Sequence, residues 1–132
     1  MTQHSTLTQE RWSSFSSSQQ ILMIANEMNR AKKLFSLPDK DGLTLCYERV
    51  LYLTDLTVQS TLDRPSASQG SNSRRGFRKE LLRWRDLAAE EYLSLSQNSE
   101  MGKPDIGRHL RIFKSLLLFS PESANQIPYL IY

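Results

Sequence analysis

Asp41–Leu62 reads DGLTLCYERVLYLTDLTVQSTL and is apolar nearly all the way round. With successive residues turned by about 100°, Leu43, Cys46, Val50, Leu53 and Thr57 share one broad side, widened by Tyr47, Thr54 and Val58. Leu45, Tyr52 and Leu56 form a second apolar side, roughly opposite the first. The polar gap between them is narrow, holding Glu48, Asp55 and Gln59. A helix apolar over most of its girth belongs inside, touched on more than one side. The stretch therefore predicts the central helix of a small bundle, wrapped by its neighbours.

On either side of it the apolar residues also recur at helical intervals. Upstream, Ile21, Ile24, Met28, Ala31 and Phe35 make the stripe of a helix over about 18–35, and Ser17 followed by Gln20 has capping-box spacing at its start. Leu37-Pro38 stops that helix and Asp39 to Gly42 turns the chain, so an antiparallel pair with the central helix follows. Further upstream, Thr8 suits an N-cap with Leu7 as a staple on Trp12. Trp12 and Phe15 then share one face of a short leading helix. Residues 1–7 read as frayed.

Downstream, DRPSASQGSNSRRG (63–76) has hardly an apolar side chain and reads as a long flexible loop, about 63–75. Helical rhythm returns with Phe77, Leu81, Trp84, Ala88, Tyr92 and Leu95, and breaks at QNSEMGK. Pro104 and Asp105 suit the first turn of a last helix with a stripe of Ile106, Leu110, Phe113 and Leu117. There is no internal repeat, and no run alternates as a strand would. The expected fold is all-α: one domain over 1–132, a four-helix bundle, up-and-down, with a short extra N-terminal helix and the polar loop between its second and third main helices, a loop long enough to allow a crossover instead.

The totals narrow the function classes. A length of 132 residues, 39% hydrophobic and 23% charged, is that of an ordinary globule. No apolar run approaches the ~20 residues of a membrane span, and MTQHSTLTQERW lacks the layout of a signal peptide. A cytoplasmic location is the default, in keeping with a single cysteine, Cys46, that has no internal partner and reads as a small hydrophobe. The net charge is +3, with seven acids and seven Lys or Arg up to Arg64 and ten bases against seven acids beyond it. The excess lies wholly in the second half, a mild lean toward an anionic partner.

Signals for chemistry are sparse, and nothing calls for a cofactor or a metal. The only histidines are His4, in the frayed start, and His109, at the edge of the last helix's stripe, where a half-buried structural role is expected. Glu48 and Asp55 stand two turns apart, about 10.5 Å along the axis, too far for a tight dyad. They read as acceptors for a neighbour such as Arg30, and Glu27 and Arg49 as a further inter-helix pair. An enzyme is not the expected reading.

One segment breaks the local rules. Arg74, Arg75, Arg78 and Lys79, followed by Arg83 and Arg85, crowd the start of a helix whose dipole favours acids there. Such a segment suits an anion, and Arg74, Arg75, Arg78, Lys79 and Arg85 are the candidate anion-binding residues for nucleic acid or another polyanion. Arg78 and Arg85 flank one side of the wheel while Lys79 and Arg83 lie near Asp86 and Glu90, so the competing reading is a solvated face. A second candidate is the apolar tail within 122–132. Ile127, Tyr129, Leu130, Ile131 and Tyr132 either fold back between helices or meet a protein partner or a second copy.

The pattern is similar to that of small helical adaptors and of the HEPN ribonuclease bundles. Those nucleases resemble one another through an Arg followed four to six residues later by a His. Neither His4 nor His109 has an Arg at that spacing, so the resemblance implies a shape and not the activity. The leading expectation is a non-enzymatic protein acting by protein–protein interaction, with polyanion binding through 74–85 as the alternative.

Overall fold

The computed structural model describes residues 8–35, 39–63, 71–97 and 106–131, the side chains of residues 63 and 71–74 excepted. Among them the chain forms α1 (Gln9–Ser13), α2 (Ser17–Leu34), α3 (Lys40–Asp63), α4 (Ser71–Gln97), α5 (Ile106–Leu117), α6 (Pro121–Ala124) and α7 (Ile127–Leu130), with no strand. Leu7, Leu37-Pro38, residues 64–70 of the polar loop, Pro104, Asp105 and Tyr132 lie outside the described residues.

Local chemistry sets the helix starts. The Thr8 hydroxyl accepts from the Arg11 amide at 3.1 Å and opens α1 as expected. The capping box of α2 falls one residue earlier than its sequence spacing suggested: Ser16 Oγ accepts from the Gln19 amide and Gln19 Oε1 from the Ser16 amide. Ser16, Ser17 and Ser18 all offer a hydroxyl, and only the backbone conformation selects among them. Asp39 Oδ1 caps α3 by accepting from the Gly42 amide at 2.9 Å. A Cβ at Gly42 would come within 2.5 Å of that carboxylate, so the glycine leaves room for the cap.

The four long helices run alternately up and down. Gln20 reaches Ser60, and Glu27 meets Arg49, so α2 and α3 are antiparallel. Contacts of Glu48 with Tyr92 and of Thr61 with Arg78 set α4 antiparallel to α3. Phe77 on Phe119 and Glu91 on Arg108 do the same for α5, and His109 on the Met28 carbonyl closes the ring back to α2. The core joins Ile21, Ile24 and Met28 of α2, Leu43, Tyr47 and Val50 of α3, Leu81 and Trp84 of α4, and Phe113, Leu116 and Leu117 of α5. Trp12 of α1 is fully buried against one end of it.

Two expectations change. Helix α4 begins at Ser71 rather than near Phe77, so residues 71–75, assigned to the loop from their composition, are helical. Ser, Asn and Gly are poor helix formers on average, but the following arginines and the long stripe beyond extend the helix backward. Second, α3 is not wrapped on all sides. Its broad side is buried, whereas Leu45 is 51% and Tyr52 38% exposed, with Leu56 half-buried against the core. Four helices in a ring leave each member an outer side, and among the described residues no element covers that of α3.

Candidate functional site

The basic segment is largely committed inside the molecule. Arg85 makes a two-pronged contact with the Asp55 carboxylate, Nε to Oδ1 and Nη2 to Oδ2, which raises the guanidinium pKa further. Arg78 Nη1 donates to Thr61 Oγ1 at 3.3 Å. Arg83 lies 3.8 Å from Glu80 on its own helix. Arg75 and Lys79, one turn apart, are exposed, and nothing is described of the Arg74 side chain. Because α4 starts at Ser71, Arg78 and Lys79 sit about two turns inside the helix. They do not line an open N-terminus, as the sequence suggested.

The tail folds back. Ile127, Leu130 and Ile131 pack partly buried on the core, and Lys32 Nζ donates to the Leu130 carbonyl. Tyr129 stands out at 80% exposure. The turn into this segment is built by Ser120, whose hydroxyl accepts from the Ser123 amide at 3.1 Å, while Ser123 Oγ donates to the Leu117 carbonyl.

The spaced carboxylates take partners from α4 rather than Arg30. Glu48 accepts from the Tyr92 hydroxyl at 2.9 Å, and Asp55 holds Arg85. Arg30 turns to Glu27 on its own helix at 3.4 Å, and Glu27 also pairs with Arg49 at 2.8 Å, the inter-helix pair expected from the sequence. Cys46 is buried and free, with Arg49 Nη2 at 3.6 Å from its sulfur; burial raises its thiol pKa.

His109 is more deeply placed than its edge position implied, fully buried where α2, α3 and α5 meet. Its Nε2 lies 2.9 Å from the Met28 carbonyl, which can only accept, so that nitrogen carries the proton. Nδ1 then accepts from the Tyr47 hydroxyl at 2.6 Å. Burial lowers the imidazole pKa to about 4 and raises that of Tyr47, so both are neutral near pH 7. Phe35, at a ring separation of 4.8 Å, and Phe113 complete the surround. Both nitrogens are spent on the protein, and the group acts as a polar rivet through three helices.

Sequence reasoning passed over Glu91, which sits on the apolar stripe of α4 between Ala88 and Leu95 and is 3% exposed. Arg108 Nε meets it at 3.2 Å. A carboxylate at a core position, seven residues after Trp84, was the signal for a buried ion pair. It also missed the latch on α1: Gln9 Nε2 reaches the Leu56 carbonyl and Ser60 Oγ, Gln20 Nε2 reaches the Trp12 carbonyl, and Trp12 Nε1 donates to Thr57 Oγ1. Among the described residues no group of His, Cys, Asp and Glu is placed to hold a metal ion, and no helix is long and apolar enough to cross a membrane.

What remains is a surface. Among the described residues six of the nine exposed large hydrophobics, Leu45, Tyr52, Leu62, Leu82, Leu87 and Leu93, lie on α3 and α4. At about 100° per residue, Leu45 and Tyr52 follow directly on the Glu48–Asp55 strip that contacts α4. Leu82, Ala89 and Leu93 follow in the same way on the Arg78–Arg85–Tyr92 strip that contacts α3. Because the helices are antiparallel, both sets turn to the same outward side. The result is a two-helix face with apolar rows on each flank of a polar seam. No family model matches this chain, and neither a curated protein nor a solved structure does.

Proposed function

We propose that this protein is a non-enzymatic helical bundle that works by binding another protein molecule through the outer face of α3 and α4. The observation that carries this reading is the gathering of Leu45, Tyr52, Leu82 and Leu93, 38–53% exposed, on one side of two packed helices. Apolar residues gathered on one face mark an interaction surface more often than singly scattered ones do. The tail is the lesser candidate, because Ile127, Leu130 and Ile131 already pack on the core. The reading places the protein in the cytoplasm, where a lone buried thiol stays reduced.

Cross-linking in the native host tests it. The wild-type chain should give a discrete adduct, and a Tyr52→Glu/Leu93→Glu chain of equal stability should lose it. An adduct pattern indifferent to both substitutions, or no adduct from the wild type, would remove the reading.

A second reading is polyanion binding centred on Arg75 and Lys79, which are exposed on successive turns of α4, with Arg78 beside them. It predicts affinity for RNA or DNA that falls steeply with salt and is lost in Arg75→Ala/Lys79→Ala. Failure to bind either nucleic acid at low salt would dispose of it.

A further inference from the structure

We propose that Arg108 and His109 form a catch that holds α5 on the bundle, and that mild acid releases it. Helix α5, with α6 and α7 behind it, then opens as a unit while α1–α4 stay packed. The device is separate from the α3–α4 face.

Two consecutive residues tie one level of α5 to all three of the other long helices. Arg108 Nε meets Glu91 of α4 at 3.2 Å. His109 Nδ1 accepts from the Tyr47 hydroxyl of α3 at 2.6 Å, and its Nε2 donates to the Met28 carbonyl of α2 at 2.9 Å. Tyr47 and His109 are fully buried there, and Glu91 is nearly so.

The surroundings suit a neutral ring. Lys32 of α2 sets its charge against the imidazole. Glu91 of α4 and Arg108 of α5 act on the Tyr47 phenol, with Cys46 beside it on α3. Among these groups a positive imidazole would stand with two other cations around one carboxylate, and that carboxylate is already paired with Arg108. A proton on Nδ1 would also turn that nitrogen from acceptor into donor, so the Tyr47 hydroxyl would lose the acceptor it has.

Opening removes both obstacles. With α5 off the bundle the imidazole stands in water and takes its proton at the ordinary 6.5, whereas in the packed chain burial holds it at about 4. The open form binds more protons between those values, so it gains about tenfold per pH unit as the pH falls through that window.

The rest of the bundle has ties of its own. Helix α1 is fastened to α3 by Trp12–Thr57 and Gln9–Ser60, α2 by Glu27–Arg49 and Gln20–Ser60, and α4 by Tyr92–Glu48, Arg85–Asp55 and Arg78–Thr61. None of these passes through α5, which at 12 residues is the shortest of the four long helices. Its own contacts, Trp84 with the Ile112 carbonyl and Phe77 with Phe119, part together with the catch. Cooperative units that open below the global free energy are built in this way.

The test is amide hydrogen exchange of the purified full-length chain between about pH 7 and about pH 5, corrected for the pH dependence of exchange itself. The amides of α5 should exchange ahead of those of α2 and α3 throughout. Their protection should fall about twentyfold across that range in the wild type, and by less than about twofold in His109→Gln. The imidazole resonances of the folded wild type, followed by NMR, should titrate well below the ordinary value, which holds the proposal to account even if His109→Gln fails to fold. Protection of α5 equal to that of α2 and α3 would overturn the proposal, since α5 would then open only with the whole chain. Protection of α5 that ignores pH, an equal fall in His109→Gln, or a folded His109 titrating near 6.5 would overturn it too.

Discussion

Tyr47 and Tyr52 stand five residues apart on one helix and have opposite fates. Tyr47 faces inward, is fully buried and ends its hydroxyl on the Nδ1 of His109. Tyr52 faces outward and keeps 38% of its surface exposed. The difference lies in what the rest of the chain brings to each side. Three helices converge on the inner side of α3, whereas among the described residues its outer side, beside the seam to α4, leaves Leu45 and Tyr52 exposed. Apolar residues on the first side hold the fold together; on the second they are available to another molecule.

The largest expected effect separates the two tyrosines directly. Tyr47→Ala should destabilise by about 3–5 kcal/mol, through the lost packing of a large ring and the cavity left behind. Tyr52→Ala should change the dilute protein by about 0.5 kcal/mol or less, as exposed substitutions do. Denaturant titrations of both variants at low concentration check this, and equal losses would break the contrast.

Acid comes next. His109 is held neutral with a pKa of about 4 in the folded chain, against an ordinary 6.5. The unfolded chain therefore binds the extra proton first as the pH falls. The stability tied to His109 is complete above about pH 6.5 and is lost progressively down to about 4, by about 3 kcal/mol for a shift of that size. Measured stability against pH should be steeper in that window for the wild type than for His109→Gln. Parallel curves would show that His109 titrates normally.

A smaller loss sharpens the account of the inner side. Tyr47→Phe keeps the ring but leaves the Nδ1 of His109 without its donor, a cost of about 1–3 kcal/mol. The smallest effect belongs to the seam. Asp55→Asn should cost only about 0.2–1 kcal/mol, since the Asp55 side chain is 54% and that of Arg85 32% exposed, and less at high salt. A larger and salt-insensitive loss would make the seam part of the core.

Much of this was legible in the sequence wherever spacing alone decides. The stripes of α2 and α4 fall where their apolar periods put them, whereas the buried side of α5 is turned toward His109, Ile112 and Leu116 and leaves Ile106 41% exposed; Trp84 points inward, as expected, to donate to the Ile112 carbonyl. The Glu27–Arg49 pair was readable too, as opposite charges on neighbouring helices. The candidate site was less so. Whether Arg78 and Arg85 are free for an anion depends on Thr61 and Asp55, which are far away in the chain and close only after folding. The start of α4 was hidden by composition, because Ser, Asn and Gly say loop while the helix beyond them says otherwise.

The sequence by itself determined that Asp41–Leu62 is a helix, that the helix before it pairs with it antiparallel, and which side of α2 and of α4 is apolar. These follow from local periodicity and a short connection. Only the tertiary structure decided how much of α3 its neighbours could reach, which arginines were spent on carboxylates and hydroxyls, and how deep His109 sits. Burial and ion pairing are relations between residues distant along the chain, and a one-dimensional pattern records which groups could meet without recording which of them do.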